Sequence, residues 1–379
     1  MDASVWFSFS IFTFLGLSAQ ETIESSIMHD DLVREYTLYV PASYTGDEAV
    51  PLIFNFHGFG SNAFEQMWYG DFRAIADTAG FLLVHPQGTE LDGVTHWNVG
   101  GWTVGSTIDD VGFTEALIDS LAANYNINPN RIYSTGMSNG GYMSMLLACQ
   151  LSDRIAAIAS VTGSMTPETM SACSPTHPTP VMQIHGTADG TVPYEGAIWT
   201  ESINNVLSYW TEFNSCFSNP VISAVEDINT SDGCTAEHYV YPYGDDGTSV
   251  EHFKITNGQH TWPGTFFTSA GTNLDINASK EIWKFFSRYD IDGSIAPVSI
   301  TDLTAQPELN VFPNPANKQF TVENLGAGTS DYSLYSALGK LVQSGTLRSN
   351  SATLNVNGLP ENIYFLHIKG EVIKLIVQH

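Results

Sequence analysis

Gly136-Met137-Ser138-Asn139-Gly140 is a G-x-S-x-G sequence that directly follows the run Arg131–Thr135 and directly precedes Gly141–Gln150, a stretch of helical character. A serine at such a strand-to-helix turn is forced into a tight backbone conformation, and its flanking residues must be small because side chains there would collide. A serine hydroxyl is a poor nucleophile unaided, so acyl transfer also needs a base to remove its proton and an acid to orient that base. Asp189, in His185-Gly186-Thr187-Ala188-Asp189-Gly190, follows the run Val181–His185, and His260, in Asn257-Gly258-Gln259-His260-Thr261-Trp262-Pro263, follows His252–Thr256. Both stand just past the C-terminal end of a predicted strand, the edge at which open α/β sheets assemble their sites. Serine, acid and histidine also occur in the order that this nucleophile turn requires. Asp109, Asp110 and Asp245 are the rival acids. His57, His85 and His185 end predicted strands and are expected to make structural hydrogen bonds.

The tetrahedral oxyanion needs donors as well. The backbone N–H of Asn139 is the expected first one, and that of Phe59, in His57-Gly58-Phe59-Gly60, the second. Trp262, two residues from the proposed base, is expected to line the substrate pocket. No H-x-x-x-H or C-x-x-C spacing occurs, so no metal is expected, and acyl transfer of this kind implies no cofactor.

These residues need a sheet to hold them, and the sequence supplies one. Leu52–His57, Phe81–His85, Arg131–Thr135, Ile155–Val161, Val181–His185 and His252–Thr256 read as buried strands, with Leu32–Val40 as a leading antiparallel one. Val111–Tyr125, Ala197–Phe213 and Ala278–Tyr289 carry apolar residues at helical spacing. The fold class is α/β with a mostly parallel sheet. Beyond about residue 307, short alternating runs (Gln319–Val322, Tyr332–Tyr335, Ile363–Ile368, Val372–Val377) predict a small all-β sandwich.

The chain has 379 residues, 13 Lys+Arg against 40 Asp+Glu and a net charge of -27, which disfavours nucleic acid and anionic membrane surfaces as partners. Residues 307–379 hold five basic and five acidic residues, so the excess charge lies entirely before them and the tail is a separate piece. Val5–Leu17, followed by Ser18 and Ala19, reads as a signal-peptide core and cleavage site; no segment is long and apolar enough to span a bilayer. Four cysteines in an exported chain predict disulfides, with the sequence neighbours Cys149 with Cys173 and Cys216 with Cys234 as the expected pairs. The expected organisation is a signal peptide over 1–19, an enzyme domain over 28–291, a linker over 292–306 and a C-terminal domain over 307–379.

Phe56-His57-Gly58, His85-Pro86-Gln87-Gly88, Trp97-Asn98, Asp109-Asp110-Val111-Gly112-Phe113, the serine motif, Val192-Pro193-Tyr194 and His260-Thr261-Trp262-Pro263-Gly264 together resemble one α/β-hydrolase family. It groups polyhydroxybutyrate depolymerases with secreted feruloyl and acetyl-xylan esterases. The resemblance implies an ester hydrolase with Ser138, Asp189 and His260 as its triad, and a secreted enzyme with aromatic residues near its cleft suits esters attached to plant polysaccharide, such as feruloyl or acetyl on xylan. Val311-Phe312-Pro313-Asn314-Pro315-Ala316, Leu334–Lys340 and Lys374-Leu375-Ile376-Val377 resemble the sorting domain of type IX secretion, which implies the secretion machinery as a partner and an extracellular or cell-surface location. Three alternatives stay open: a polyester depolymerase, a serine peptidase using the same triad, and a non-catalytic surface adhesin on the same fold.

Overall fold

The apolar runs of the sequence become the interior strands of one ten-stranded sheet, described here from a computed structural model. The described residues are 20–295, 310–323, 329–336, 340–348, 351–368 and 371–378. The expected signal peptide and most of the expected linker lie outside them. The chain divides into two compact units, Met1–Val298 and Ser299–His379.

In the first unit the strands of this sheet are β1 (Glu21–His29), β2 (Leu32–Val40), β3 (Val50–Phe56), β4 (Leu82–Pro86), β5 (Ile127–Met137), β6 (Ala157–Val161), β7 (Val181–Gly186), β8 (Val221–Ala224), β9 (Thr235–Tyr241) and β10 (Val250–Thr256). Their order across the sheet is β1-β2-β4-β3-β5-β6-β7-β10-β9-β8. The six strands from β4 to β10 run parallel, and an antiparallel pair extends each edge. Side chains alternate across a strand, so Leu52, Phe54 and Phe56 of β3 enter one core while Ile53 enters the other. Helices must therefore cover both faces, as a parallel sheet requires.

The first face is covered by α3 (Asp110–Ala122), α4 (Asn139–Gln150) and α6 (Ile203–Phe213), through Phe113, Leu117, Leu147, Val206 and Trp210. The second takes Ala76 of α2 (Arg73–Ala79) and Ile282, Phe285 and Phe286 of α7 (Ala278–Phe286). Two further short helices, α1 (Ala63–Tyr69) and α5 (Pro167–Ala172), sit in loops beyond the C-terminal strand ends. Helix starts follow local chemistry: Asn62, Asp109, Ser202 and Asn277 each accept a hydrogen bond from the backbone N–H three residues on. The Ser202 cap explains why α6 begins at Ile203 and not at Ala197 as the periodicity suggests.

One buried ion pair ties the first strands to a loop near the serine. Arg34 reaches Asp110 Oδ1 at 2.6 Å and lies 3.9 Å over the Phe113 ring, while Asp110 Oδ2 accepts the N–H of Asn98 at 2.7 Å. The loop that begins with Trp97-Asn98 is thereby fixed to α3.

In the second unit β11 (Asn310–Phe312), β12 (Gln319–Glu323) and β15 (Ser351–Asn355) form one antiparallel sheet, and β13 (Ser330–Ser336), β14 (Leu341–Leu347), β16 (Asn362–Ile368) and β17 (Glu371–Val377) another. Phe320 and Val322 of the first join Leu334, Tyr364, Leu366 and Leu375 of the second in a single core. The expected all-β piece is present.

Acid stability follows from the buried histidines. Burial pulls His57, His85 and His252 from an ordinary pKa of 6.5 to about 4, 3 and 3 respectively, so all three fold neutral. The unfolded chain takes up their protons near its ordinary value, so this stabilisation is complete above that value and is lost as pH falls through 6.5 toward 4 and 3. The loss reaches about 1.4 kcal/mol per pH unit for each group. Burial alone would raise Glu251, but the Arg288 guanidinium and His238 hold it down to about 2, so its contribution disappears as pH falls from 4.5 toward 2. Thermal unfolding should show Tm dropping between pH 7 and pH 5; a constant Tm across that window would contradict this accounting.

Candidate active site

Ser138 sits at the junction of β5 and α4 with φ 54° and ψ -118°. A non-glycine residue in that region costs on the order of 1–3 kcal/mol and persists only where its surroundings enforce it. Here the enforcement is backbone packing. A Cβ on Gly136 would stand 2.6 Å from the Gly140 backbone, and one on Gly140 would stand 2.2 Å from Phe56 O. The Ser138 N–H donates to Val161 O at 2.8 Å, which pins the turn to β6. Asn139 pins it to the Trp97 loop: its Oδ1 accepts from Trp97 N at 2.7 Å and its Nδ2 donates to Trp97 O at 3.0 Å.

Asp189 follows β7 and His260 follows β10, the strands at the same sheet edge two and three places from β5. Their loops are pressed together: a Cβ on Gly186 would stand 2.2 Å from Gly258 O, and Ala188 N donates to that same carbonyl at 2.9 Å. His260 Nδ1 and Asp189 Oδ2 are 2.8 Å apart, and Asp189 Oδ1 accepts from the N–H groups of Thr191 and Val192, each at 2.8 Å. Burial alone would raise the Asp189 carboxyl, but its hydrogen bond and charge interaction with His260, aided by His185 and the Val192 N–H, hold it below the ordinary value. A carboxylate can only accept, so the Nδ1 proton belongs to His260 and its Nε2 carries the free lone pair. Among the described residues no hydrogen bond joins Ser138 Oγ to His260 Nε2.

His185 is the second imidazole near this acid, 3.4 Å from Asp189 Oδ2. Burial lowers its pKa, and its ring is engaged by Gln183 Nε2 at 3.2 Å and Val192 O at 2.8 Å. It is neutral and structural, as expected for a strand-end histidine.

The loop after β3 lies against the serine, since a Cβ on Gly58 would meet Ser138 Cβ at 3.5 Å. Gly88 N donates to His57 Nε2 at 2.9 Å, so His57 Nδ1–H is the donor to Gly58 O at 2.8 Å. Ser61 N donates to the same carbonyl at 3.1 Å. Carbonyl and N–H point oppositely across a trans peptide, so holding Gly58 O fixes the direction of the Phe59 N–H. Among the described residues that N–H has no acceptor, and Asn139 N–H, the first of α4, has none within its helix. His57 as the group that orients this peptide was not read as such from the sequence; Phe56-His57-Gly58 closing a strand was the available signal.

Two expectations need correction. Trp262 is 1% exposed: its Nε1 donates to Ser279 Oγ at 3.2 Å, its ring meets Phe72 edge-on and fills the slot left by Gly70, and it borders a cavity of about 520 Å³ with Tyr69 and Ile75, not the one that Met137 and Gly58 line. Cys149 and Cys173 form the expected disulfide, whose 24-residue separation corresponds to about 3 kcal/mol in the chain-entropy picture. Cys216 and Cys234, however, are free. Cys216 packs against the first core and Cys234 is buried in the second, so the sheet lies between them.

Beside Ser138 lies a cavity of about 650 Å³ that was not expected from the sequence. Met137 and Gly58 adjoin Ser138 there, and Phe64, Trp68, Tyr69 and Phe267 make the walls. Asn62 with Glu65 three residues on, ahead of Gln66-Met67-Trp68, marks the start of α1 and was the missed clue. Elsewhere, His29, Asp30 and Asp109 bring possible metal-ligand atoms within 4.8 Å of one another at the β1–β2 turn. Asp109 is already engaged there as the cap of α3.

Residues 43–215 match the phospholipase/carboxylesterase family, and residues 310–378 match the secretion system C-terminal sorting domain. Among curated proteins, the chain is 30% identical over 198 residues to feruloyl esterase B of Piromyces equi, covering 49% of this chain and 37% of that one. It is 24% identical over 263 residues to a bifunctional acetylxylan esterase/xylanase of Neocallimastix patriciarum, covering 69% of this chain and 34% of the other. The chain thus spans about a third of the length of these relatives. A solved acetyl xylan esterase from Aspergillus awamori shares the fold, with a TM-score of 0.51 at 13% identity over 70% of this chain and 99% of that one. No helix among the described residues is long and apolar enough to cross a membrane. The chain has the α/β-hydrolase fold, residues 43–215 of it are similar to phospholipases/carboxylesterases, and its C-terminal domain is similar to a secretion system sorting domain.

Proposed function

We propose that the protein is a serine carboxylic ester hydrolase acting on esters attached to polysaccharide, feruloyl or acetyl xylan in particular. One observation carries the reading: a strained serine on the β5–α4 turn shares a sheet edge with a histidine whose Nδ1 is held by a buried carboxylate. In this reading His260 Nε2 takes the proton of Ser138 as Oγ attacks the ester carbonyl, and Asp189 steadies the imidazolium that forms. The N–H groups of Asn139 and Phe59 receive the oxyanion. His260 then protonates the departing sugar alkoxide, and water releases the acid from the acyl-enzyme by the same steps in reverse. The polysaccharide part rests on the feruloyl and acetylxylan esterases among the relatives and on the sorting domain, which suits an extracellular polymer.

A polyester depolymerase is the second reading, favoured by the apolar walls of the cavity beside Ser138. The full-length chain should be incubated with methyl ferulate, acetylated xylan and polyhydroxybutyrate, alongside an amide analogue of the ferulate, and the released acids identified. Ferulic or acetic acid is the expected product. Release of 3-hydroxybutyrate alone would favour the second reading, and cleavage of the amide alone would overturn both.

A further inference from the structure

We propose that the cavity beside Ser138 receives a flat aromatic acyl group, and that Trp68 and Phe267 are the residues that select it. The proposal rests on the ester-hydrolase reading and decides, within it, between an aromatic acid and acetate.

The first wall comes from α1. This helix buries Ala63, Gln66 and Met67, which leaves Phe64 and Trp68, one turn apart on its outer side, 60% and 44% exposed. Two large aromatic rings facing water on a seven-residue helix have no use in the core. The helix is nevertheless firmly held: Gln66 Nε2 donates to Asn55 Oδ1 at 2.8 Å and Asn55 Nδ2 donates to Gly70 O at 2.9 Å, all buried. Trp68 itself is fixed in orientation. The Arg73 guanidinium covers one indole face at 3.9 Å and is in turn fastened to Asp71 by two hydrogen bonds of 3.0 and 2.8 Å. A ring whose plane is set before binding loses little entropy when a second ring stacks on it or meets it edge-on.

The second wall comes from a different part of the chain. Phe267 is 52% exposed in the loop that follows His260, and it lines the cavity together with Trp68, Met137 and Gly58. The loop that bears the base and the helix that follows the oxyanion loop thus both present an aromatic side chain to one space that adjoins the nucleophile. An acetyl group brings a single methyl to that space and would leave both rings in water. A phenylpropenoyl group is planar and long enough to leave its carbonyl at Ser138 while its ring lies among the aromatic walls. Binding energy gained that far from the reacting bond is what selects one ester over another.

The test measures kcat/KM of the full-length chain on methyl ferulate, methyl acetate and methyl hexanoate. The wild-type protein should prefer ferulate to both others. Trp68→Ala and Phe267→Ala should each lower the ferulate-to-acetate ratio about tenfold, in keeping with the loss of one aromatic contact. Phe267 lies in an exposed loop, so its variant carries the test even if Trp68→Ala fails to fold. An unaltered ratio in the folded variants, or a wild-type preference for hexanoate, overturns the aromatic assignment and leaves the ester-hydrolase reading standing. A wild-type protein that cleaves none of the three esters overturns both.

Discussion

Ser138→Ala should lower kcat for ester hydrolysis by about 10⁵- to 10⁶-fold while leaving thermal stability unchanged. The two halves of this expectation come from different features. In the proposed mechanism activity is lost because no other hydroxyl occupies the β5–α4 turn, and because a catalytic triad acts as a unit whose benefit disappears with any essential member. Stability is kept because the strain at φ 54° belongs to the backbone, and alanine carries the same Cβ as serine. Among the described residues the side chain of Ser138 caps nothing in α4, so its removal leaves no partner unsatisfied there. Steady-state kinetics with a thermal melt on the same preparation checks both. Retention of more than a tenth of the wild-type rate would contradict the assignment.

Asp189→Asn should cost about 10⁴-fold in kcat, more than the loss of one hydrogen bond. The reason lies in the two oxygens of Asp189. Oδ1 accepts from two backbone N–H groups, so an asparagine must place its only oxygen there and turn its NH₂ toward His260. The amide would then donate to Nδ1, forcing the proton onto Nε2, where a general base needs its lone pair. The buried His185, 3.4 Å from Oδ2, is neutral and cannot serve as a substitute acceptor while its ring is held by Gln183 and Val192. The same kinetic assay checks this, and a loss below about tenfold would show that the carboxylate does not set the tautomer.

The parts of the molecule legible in the sequence are those where one physical signal dominates. The interior strands β3, β6 and β7, with Ile132–Met137 of β5 and Val250–Ile255 of β10, are largely buried and carry β-branched or aromatic residues even where polar ones stand among them. Ser138, Asp189 and His260 could be singled out as candidates because each lies within four residues of the end of such a strand. β1, with the sequence ETIESSIMH, is an edge strand that shows most of its side chains to water and offers no comparable pattern. β8 and β9 were missed for a related reason, lying at the other edge. The helices α1 and α2 have seven residues each, too few for a helical period to register.

The site-level errors have a different origin. Trp262 lies two residues from His260, but position along a loop says nothing about which way a ring turns, and the gap at Gly70 draws it inward. Cys216 and Cys234 are close in sequence, but an entire sheet separates the cores against which they pack. α7 ends at Phe286 and not at Tyr289, because Tyr289-Asp290 pair with Gly293-Ser294 as a small hairpin.

The most direct test of Ser138 as the acyl acceptor is intact-mass and peptide analysis of the full-length chain after reaction with a fluorophosphonate. One adduct should form, on the peptide that contains Ser138, rising in step with the loss of esterase activity and failing to form in Ser138→Ala. Complete inactivation with the label on another residue, or undiminished turnover by a fully labelled chain, would contradict the account.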